Sequence, residues 1–448
     1  MSKVIIVGGN AAGMSAASQI KRQQPEWETI VLEKGEFISY AGCGMPYYIA
    51  GTVPRLEDLL ELSPEKAIQE RNIDLRLNHE VLTINPQEKE LLVKSTAGKT
   101  IESFDYLLLA TGTLPITEGL NLTDSEKIFS LKNLYDMQKI DAFIENNKPQ
   151  KCAVIGGGYI AVEMLEAFKE RGLETHLIHR RKDLAKTFDQ KISDLLKNKM
   201  QEKGIVLNLN SSVKKVEERT TGVVVITETD ELAYDFVLVA TGVKPNTGFL
   251  ENSSIEMGIK GSVKVNRYLQ TNFDYIYAAG DCAETTNLIT GKPAYVPLAP
   301  KANKEGFIAG LNICGNREKF PGIVGTAITK FFDLGVARTG LTLEEAQKNG
   351  FDPVRYDFSS GTKARYYPGT EELHSVLIIN KGDGRILGSH LAGPLESVKT
   401  IDTYAALVSG GVTVREAFTM DLSYAPPFWP VFHPVVLAGR LGRKFVSN

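Results

Sequence analysis

Apolar residues in this chain fall into short unbroken runs, and the same succession of runs occurs twice. KVIIVGG reads as a strand buried on both faces, AAGMSAASQIKR as a helix whose small residues allow close packing, and TIVLEKG as a second strand. Near the middle, KCAVIGGG, YIAVEMLEAFKERG and THLIHRR repeat the strand, helix, strand order. Two more apolar strands end alike, in LLLATGTLP (107–115) and VLVATGVKP (237–245), each running into a glycine turn. YIYAAGDCAE then reads as a strand ending in an acid, and PLAPKANKEGFIAGLNI as a helix entered through Pro300. From about Gly322 the pattern changes to alternation, in TAITKFFDLGVARTG, HSVLIINK and RILGSHLAG, followed by a helix through TYAALVSGG. The expected fold is α/β: two Rossmann-like three-layer domains plus a C-terminal α+β domain.

Bulk properties narrow the function classes. A chain of 448 residues, 43% hydrophobic and 23% charged, is long enough for two or three domains with separate cores. The net charge of -3, with both signs mixed along the chain, supplies no basic face for nucleic acid or anionic lipid. The N-terminal apolar run is too short for a secretory segment, and no stretch reaches the roughly 18 apolar residues of a membrane span. A cytoplasmic protein is expected. Cys43, Cys152, Cys282 and Cys314 show neither pairing pattern nor metal-ligand spacing, so neither disulfide staples nor a metal site is expected.

Both repeated units carry a glycine turn between first strand and helix, where backbone N–H groups and a helix N-terminus can face a pyrophosphate. In the first, GGNAAG (Gly8 to Gly13), Asn10 takes the second glycine position, a substitution expected to survive because Asn tolerates unusual backbone angles. Glu33, ending the second strand, is placed to take both ribose hydroxyls, and with the distant Gly280-Asp281 it points to FAD. In the second unit Gly156, Gly158 and Ala161 fit the pattern closely. There His179, Arg180 and Arg181 stand where an NADH enzyme would show an acid, so the expected second dinucleotide is NADPH, with NADH possible.

Cys43 stands alone in SYAGCGMPYYIAG, where two-cysteine flavin disulfide reductases carry Cys-x4-Cys; the second position here is Tyr48. A dithiol relay is therefore excluded, leaving a mixed disulfide, a persulfide or a sulfenic acid on one sulfur. The segment is expected to open a helix, whose partial positive charge would favour thiolate. Cys152, Cys282 and Cys314 are expected to be packing residues.

Across nearly its whole length, through GGNAAGMSAAS, SYAGCGMPYYIAG, the two ATG turns, GGGYIAVE, YIYAAGDCAE, ARYYPG and SYAPP, the chain resembles the single-cysteine pyridine nucleotide-disulfide oxidoreductases, among them the coenzyme A-disulfide reductases. The resemblance implies an FAD domain (residues 1–115 and 247–321) split around an NAD(P)H domain (116–246), and a C-terminal interface domain (322–448) that makes a homodimer. It implies FAD contacts from Gly8, Ala12, Gly13, Glu33, Lys34, Val81, Thr111, Gly112 and Asp281, the last on the ribityl chain. Nicotinamide dinucleotide contacts would come from Gly156, Gly158, Tyr159, Ile160, Glu163, His179, Arg180 and Arg181, with Tyr159 and Glu163 flanking the nicotinamide.

Cys43 would be the redox sulfur, and Tyr366 and Tyr424 would reach it from the partner subunit to assist thiolate departure. Coenzyme A would meet Ser15, Gln19, Arg22, Ser39, Arg71 and Asn303, and rest as a mixed disulfide on Cys43. The implied activity is NAD(P)H-dependent reduction of CoA disulfide to two CoA thiols. Gly42 replaces an Asn common in these reductases, and FWPVFHP replaces a basic residue beyond YAPP, so reduction of CoA persulfide or polysulfide stays open. A water-forming oxidase through a Cys43 sulfenic acid is a further alternative, although Ala11 occupies the position where peroxidases carry a histidine. A non-enzymatic redox sensor is the most remote.

Overall fold

The structure is a computed structural model and describes residues 1–184 and 187–446. Strand Lys3–Val7 pairs in parallel with Glu28–Leu32 on one side and Tyr106–Leu109 on the other, and Asp74–Arg76 and Ile276–Ala278 close the two edges of this five-stranded sheet. The second sheet repeats the arrangement: Lys151–Ile155 lies between Glu174–His179 and Phe236–Val239, with Val206–Leu209 and Ile128–Phe129 at the edges. Val4, Ile5, Ile6, Val154 and Leu177 are wholly inaccessible, as strands covered on both faces require.

The two units differ in how the chain completes them. The last strand of the first sheet, Ile276–Ala278, comes from far along the chain, whereas the equivalent strand of the second, Ile128–Phe129, precedes the rest of its sheet. The segments after the two ATG turns, Thr113–Pro115 and Val243–Pro245, pair with each other in antiparallel fashion and tie the units together. Each unit also carries a three-stranded antiparallel sheet that the apolar pattern did not reveal: Glu80–Asn85, Glu90–Ser95 and Gly98–Ser103 in one, Val213–Arg219, Gly222–Thr227 and Glu231–Tyr234 in the other.

Helix Ala299–Ile313 crosses helix Ala11–Gln23 so closely that a Cβ on Gly306 would lie 2.2 Å from the Ala12 carbonyl oxygen. The small residues of both segments permit that approach. In the second unit Phe168, Phe236, Phe129 and Phe143 make edge-to-face contacts at 5.2–5.9 Å, giving it a core of its own.

The C-terminal sheet is antiparallel, in the order Ala327–Phe331, Leu334–Gly340, Ile386–Pro394, Glu372–Asn380, Pro353–Gly361. Its edge strand Ala327–Phe331 packs on helix Tyr159–Glu170 of the second unit. No helix among the described residues is long and apolar enough to cross a membrane.

Candidate active site

Both glycine turns are built by the same clash. Gly8 adopts φ +107° with its Cβ position 2.3 Å from the Ala110 carbonyl oxygen, and Gly156 adopts φ +133° with its Cβ position 2.1 Å from that of Ala240. Any side chain there would push the loop off the adjoining ATG turn. Gly13 presses on Gly8 from behind, and with Ala12 and Gly156 it shapes the loops without bordering the cavity.

Asn10 corrects one expectation. Its φ of −104° is ordinary extended backbone, so tolerance of unusual angles is not used; its Oδ1 instead accepts the Tyr40 N–H at 3.2 Å and ties the loop to the Cys43 segment. Glu33 is oriented by two backbone amides, Gly9 N–H to Oε2 at 2.7 Å and Gly35 N–H to Oε1 at 2.8 Å.

A single continuous cavity of ≈ 2330 Å³ runs over these loops, far larger than the roughly 300–1,000 Å³ that one drug-sized ligand fills. Gly8, Glu33, Lys34, Val81, Thr111 and Gly112 line it from the first unit. Gly158, Tyr159, Ile160 and Glu163 line it from the second unit, and Cys43 and Asp281 border the same cavity. The Asp281 Oδ1 is buried without a hydrogen-bond partner, while burial raises this carboxyl above its usual range against the pull of Lys132 and Lys301. An acceptor left open in this way suits a polyhydroxyl chain, and the Gly8 loop suits a diphosphate, so the residues present fit FAD.

Lys132 is a site residue that the motifs did not disclose. It directly precedes an Asn133–Asp136 capping box, and its own N–H is taken by Asp136 Oδ2 at 2.8 Å, which turns the start of helix Leu134–Asn147 toward the cavity. The Lys132 ammonium is half-buried and forms no salt bridge among the described residues.

Cys43 is exposed to the cavity, and all four cysteines are free. Its surroundings overturn the expected thiolate bias. Gly42–Gly44 is a single 3-10 turn running into the five-residue helix Met45–Ile49, too short to supply much dipole. Burial, then Glu163 and Asp281, raise the thiol above its ordinary value, opposed by Lys132. A free Cys43 thiol is therefore harder to ionise than an ordinary cysteine.

In the second unit, the Tyr159 ring meets Phe188 edge-on at 5.7 Å and its hydroxyl pairs with the Thr187 hydroxyl at 3.4 Å. Glu163 accepts a hydrogen bond from Thr329 at 3.0 Å, and burial lifts its carboxyl to about 6. His179 does not behave as the expected cation. Its ring packs against Gly157, its Nε2 lies 3.2 Å from the Asp183 carbonyl, and burial lowers its titration, so it is neutral at pH 7. Arg180 and Arg181 are exposed and enter no salt bridge among the described residues.

Of the expected coenzyme A contacts, Ser15 and Asn303 border the cavity and bond each other, Ser15 Oγ to the Asn303 carbonyl at 3.0 Å. Gln19 is buried and its Oε1 accepts from the exposed Arg22 at 3.3 Å. The exposed Arg71 bonds Ser18 Oγ at 2.5 Å on the same helix. Ser39 lies in the left-handed region, φ 44°, with its N–H on the Gly9 carbonyl.

Tyr366 and Tyr424 are brought to each other, hydroxyl to hydroxyl at 3.5 Å, by loops joined through the Ala364 N–H and the Pro426 carbonyl. Neither borders the Cys43 cavity of its own chain. Both are exposed, Tyr366 being 75% accessible, and so are Phe428, Val431 and Phe432, which follow Tyr424 closely in the chain.

Two glycine-turn nucleotide-binding units sharing one cavity, a free thiol on that cavity and a separate C-terminal sheet define a class: redox enzymes built around two dinucleotides. Residues 2–306 match the pyridine nucleotide-disulphide oxidoreductase family, and residues 326–435 match the dimerisation domain of pyridine nucleotide-disulphide oxidoreductases. The chain belongs to this family, whose cofactors are FAD and NAD(P)H.

Among its relatives, the NAD(P)H sulfur oxidoreductase (CoA-dependent) of Pyrococcus furiosus is 40% identical, covering 98% of each chain. The coenzyme A disulfide reductase of Staphylococcus haemolyticus is 32% identical, covering 99% of each. The structure of an NAD-dependent persulfide reductase from A. fulgidus superposes with a TM-score of 0.96 at 32% identity, covering 99% of this chain and 83% of that one.

Proposed function

We propose that this enzyme uses NAD(P)H to cleave a sulfur–sulfur bond carried by coenzyme A, with Cys43 as its single redox thiol. The observation that carries the reading is the free Cys43 sulfur opening into a cavity that continues to the second glycine unit, with no second cysteine beside it. Bound over the first glycine loop, FAD would pass two electrons from NAD(P)H to the sulfur. Glu33 and Asp281 would hold its hydroxyls, and Tyr159 and Glu163 would flank the nicotinamide.

Cys43 as thiolate attacks CoA–S–S–CoA, forming Cys43–S–S–CoA and releasing one CoA thiolate. Two electrons then split the mixed disulfide into the Cys43 thiolate and a second CoA thiolate, and protons from solvent complete two thiols. Lys132 would stabilise the anionic sulfur, and in a homodimer the partner's Tyr366 and Tyr424 would donate to the departing thiolate. Arg22 and Arg71 suit the phosphates of CoA.

A second reading, reduction of CoA–S–SH, is favoured by the higher identity to the CoA-dependent NAD(P)H sulfur oxidoreductase than to the coenzyme A disulfide reductase, 40% against 32%. The same thiolate would then take the outer sulfur as Cys43–S–SH, and two electrons would release it as HS⁻. Steady-state NAD(P)H oxidation with CoA disulfide, CoA persulfide and oxygen as sole acceptors tests both. Turnover on either CoA acceptor at least about tenfold above oxygen supports the proposal, the choice of substrate following the larger kcat/KM. Turnover with oxygen alone refutes it.

The nucleotide preference is separately testable. With His179 neutral, Arg180 and Arg181 are the two of the three expected cations left to meet a 2′-phosphate. Charge-assisted hydrogen bonds are worth about 1.5–3 kcal/mol each. Replacing both by alanine is expected to lower kcat/KM for NADPH by roughly 100-fold or more, leaving that for NADH within about threefold. Equal losses with both nucleotides would remove the arginines from this role.

A further inference from the structure

Glu163 and Glu166 are three residues apart on helix Tyr159–Glu170 and so share one face, where two like charges oppose each other. The edge strand of the C-terminal sheet answers both. Thr329 Oγ1 donates to Glu163 Oε1 at 3.0 Å, Lys330 pairs with Glu166 Oε1, and the Phe332 N–H donates to Glu166 Oε2 at 2.9 Å. Thr329 is 7% accessible and Glu166 is 9% accessible, so water competes little for these bonds.

Glu163 borders the cavity that holds Cys43, and its charge is the largest single charge acting on that thiol. We propose that Thr329 is a positioning residue: from the interface domain it holds the Glu163 carboxyl in its charged, cavity-facing state, and through that carboxyl the C-terminal sheet sets the electrostatic field on Cys43.

The groups that face this pair are few. Around Glu163 they are Glu166, Lys330, Tyr159, Tyr47 and Cys43; around Cys43 they are Glu163, Tyr47, Asp281 and Lys132. Tyr47 is pushed up to about 12 and stays neutral, with the Lys330 ammonium 5.7 Å from its ring centre. The Thr329 bond and the Lys330 charge both favour ionised Glu163, while burial and Glu166 oppose them. With Glu163 near 6, the balance leaves it mostly charged at pH 7, and the charge withholds the proton of Cys43. Removing the Thr329 hydroxyl tips Glu163 toward the neutral acid and lets Cys43 ionise more readily.

The inference rests on the assignment of Cys43 as the redox sulfur, but its test does not depend on the acceptor. The FAD-loaded enzyme, reduced and freed of reductant, is alkylated with iodoacetamide between pH 5 and 10, and the Cys43 peptide is followed by mass spectrometry. Thr329→Val is expected to raise the Cys43 alkylation rate at pH 7 by about three- to tenfold, since one unit of titration shift corresponds to tenfold.

Thr329→Ser is expected to restore the parent profile, and Glu163→Gln to give a fast profile without an inflection near pH 6. A Thr329→Val enzyme that retains FAD and follows the parent profile overturns the proposal. So does a Glu163→Gln profile identical to the parent, which decides the matter if Thr329→Val does not fold. Failure of the substrate assignment alone would appear as absent CoA turnover with these alkylation shifts intact.

Discussion

Replacing Cys43 by serine is expected to lower turnover with a CoA-linked sulfur–sulfur bond by about 10³-fold or more, the scale seen when a covalent nucleophile is removed. Serine can occupy the Gly42–Gly44 turn, but its hydroxyl cannot form a mixed disulfide or accept a persulfide sulfur. No other thiol can substitute. Cys152 is buried in its strand 3.9 Å from Thr175 Oγ1, Cys282 is buried against the Leu109 carbonyl at 3.3 Å, and Cys314 caps the far end of helix Ala299–Ile313. Reduction of the cofactor by NAD(P)H should persist, because the Gly8 and Gly156 loops are untouched. Steady-state assays with CoA disulfide and persulfide, beside anaerobic stopped-flow bleaching of the flavin, separate the two half-reactions. Serine turnover within about tenfold of the parent would mean that electrons leave by another route. The raised thiol also fixes the sign of the pH response: in the parent, the acceptor half-reaction should accelerate by up to roughly tenfold per pH unit below the thiol's titration, as the thiolate fraction grows.

The parts of this enzyme legible in the chain are those whose physics is local. A buried parallel strand, a turn that only glycine can make and a helix with small residues all leave their mark within about thirty residues, so both nucleotide units and the lone Cys43 could be read directly. The likeness of the two ATG turns was visible as a duplication, but the antiparallel pairing of Thr113–Pro115 with Val243–Pro245 that joins the units was not, since it forms only when the two units meet. The accessory strand Gly98–Ser103 is almost wholly exposed, with one exposed isoleucine, and offered no alternation to recognise. Electrostatics was the least legible. A helix start suggested a thiolate at Cys43, but burial, with Glu163 and Asp281 120 and 238 positions away, outweighs one short turn. His179 read as a cation in a basic run, yet the bare Gly157 leaves room for its ring to pack, and packing keeps it neutral. Lys132 and Thr329 had no motif at all, since each acts through contacts made only when distant segments meet.

The largest stability effect is expected at Lys301, whose ammonium is 2% accessible and paired at 3.0 Å with the wholly buried Glu305 one helical turn away. The ammonium also donates to the carbonyls of Gly280 at 2.8 Å and Ala283 at 3.3 Å, while Glu305 Oε2 accepts the Gly280 N–H at 2.8 Å. Together they clamp the turn that presents Asp281 to the cavity, a turn made possible by Gly280 at φ +81°. Breaking a buried pair by removing one partner costs about 3–5 kcal/mol. Lys301→Met should fall near the lower end, about 3 kcal/mol, because Glu305 is already lifted to about 7 by burial and can take a proton instead of standing as an unpaired charge. A carboxyl raised on folding stabilises the folded state fully below its unfolded pKa, and that contribution is lost as pH climbs through the folded value. In the parent this loss spans about pH 4.3 to 7. Without the Lys301 cation Glu305 titrates higher still, so the variant should lose more stability relative to the parent at pH 8 than at pH 6. Thermal unfolding of the holoenzyme at both pH values, with FAD content measured alongside, checks the sign. The expected result is a Tm lower by several degrees, a larger deficit at pH 8, and faster loss of FAD as the Asp281 turn loosens; adding Glu305→Gln should recover part of the Tm deficit at pH 8. A Tm equal to the parent's at both pH values would show that the pair, for all its burial, does not hold the turn.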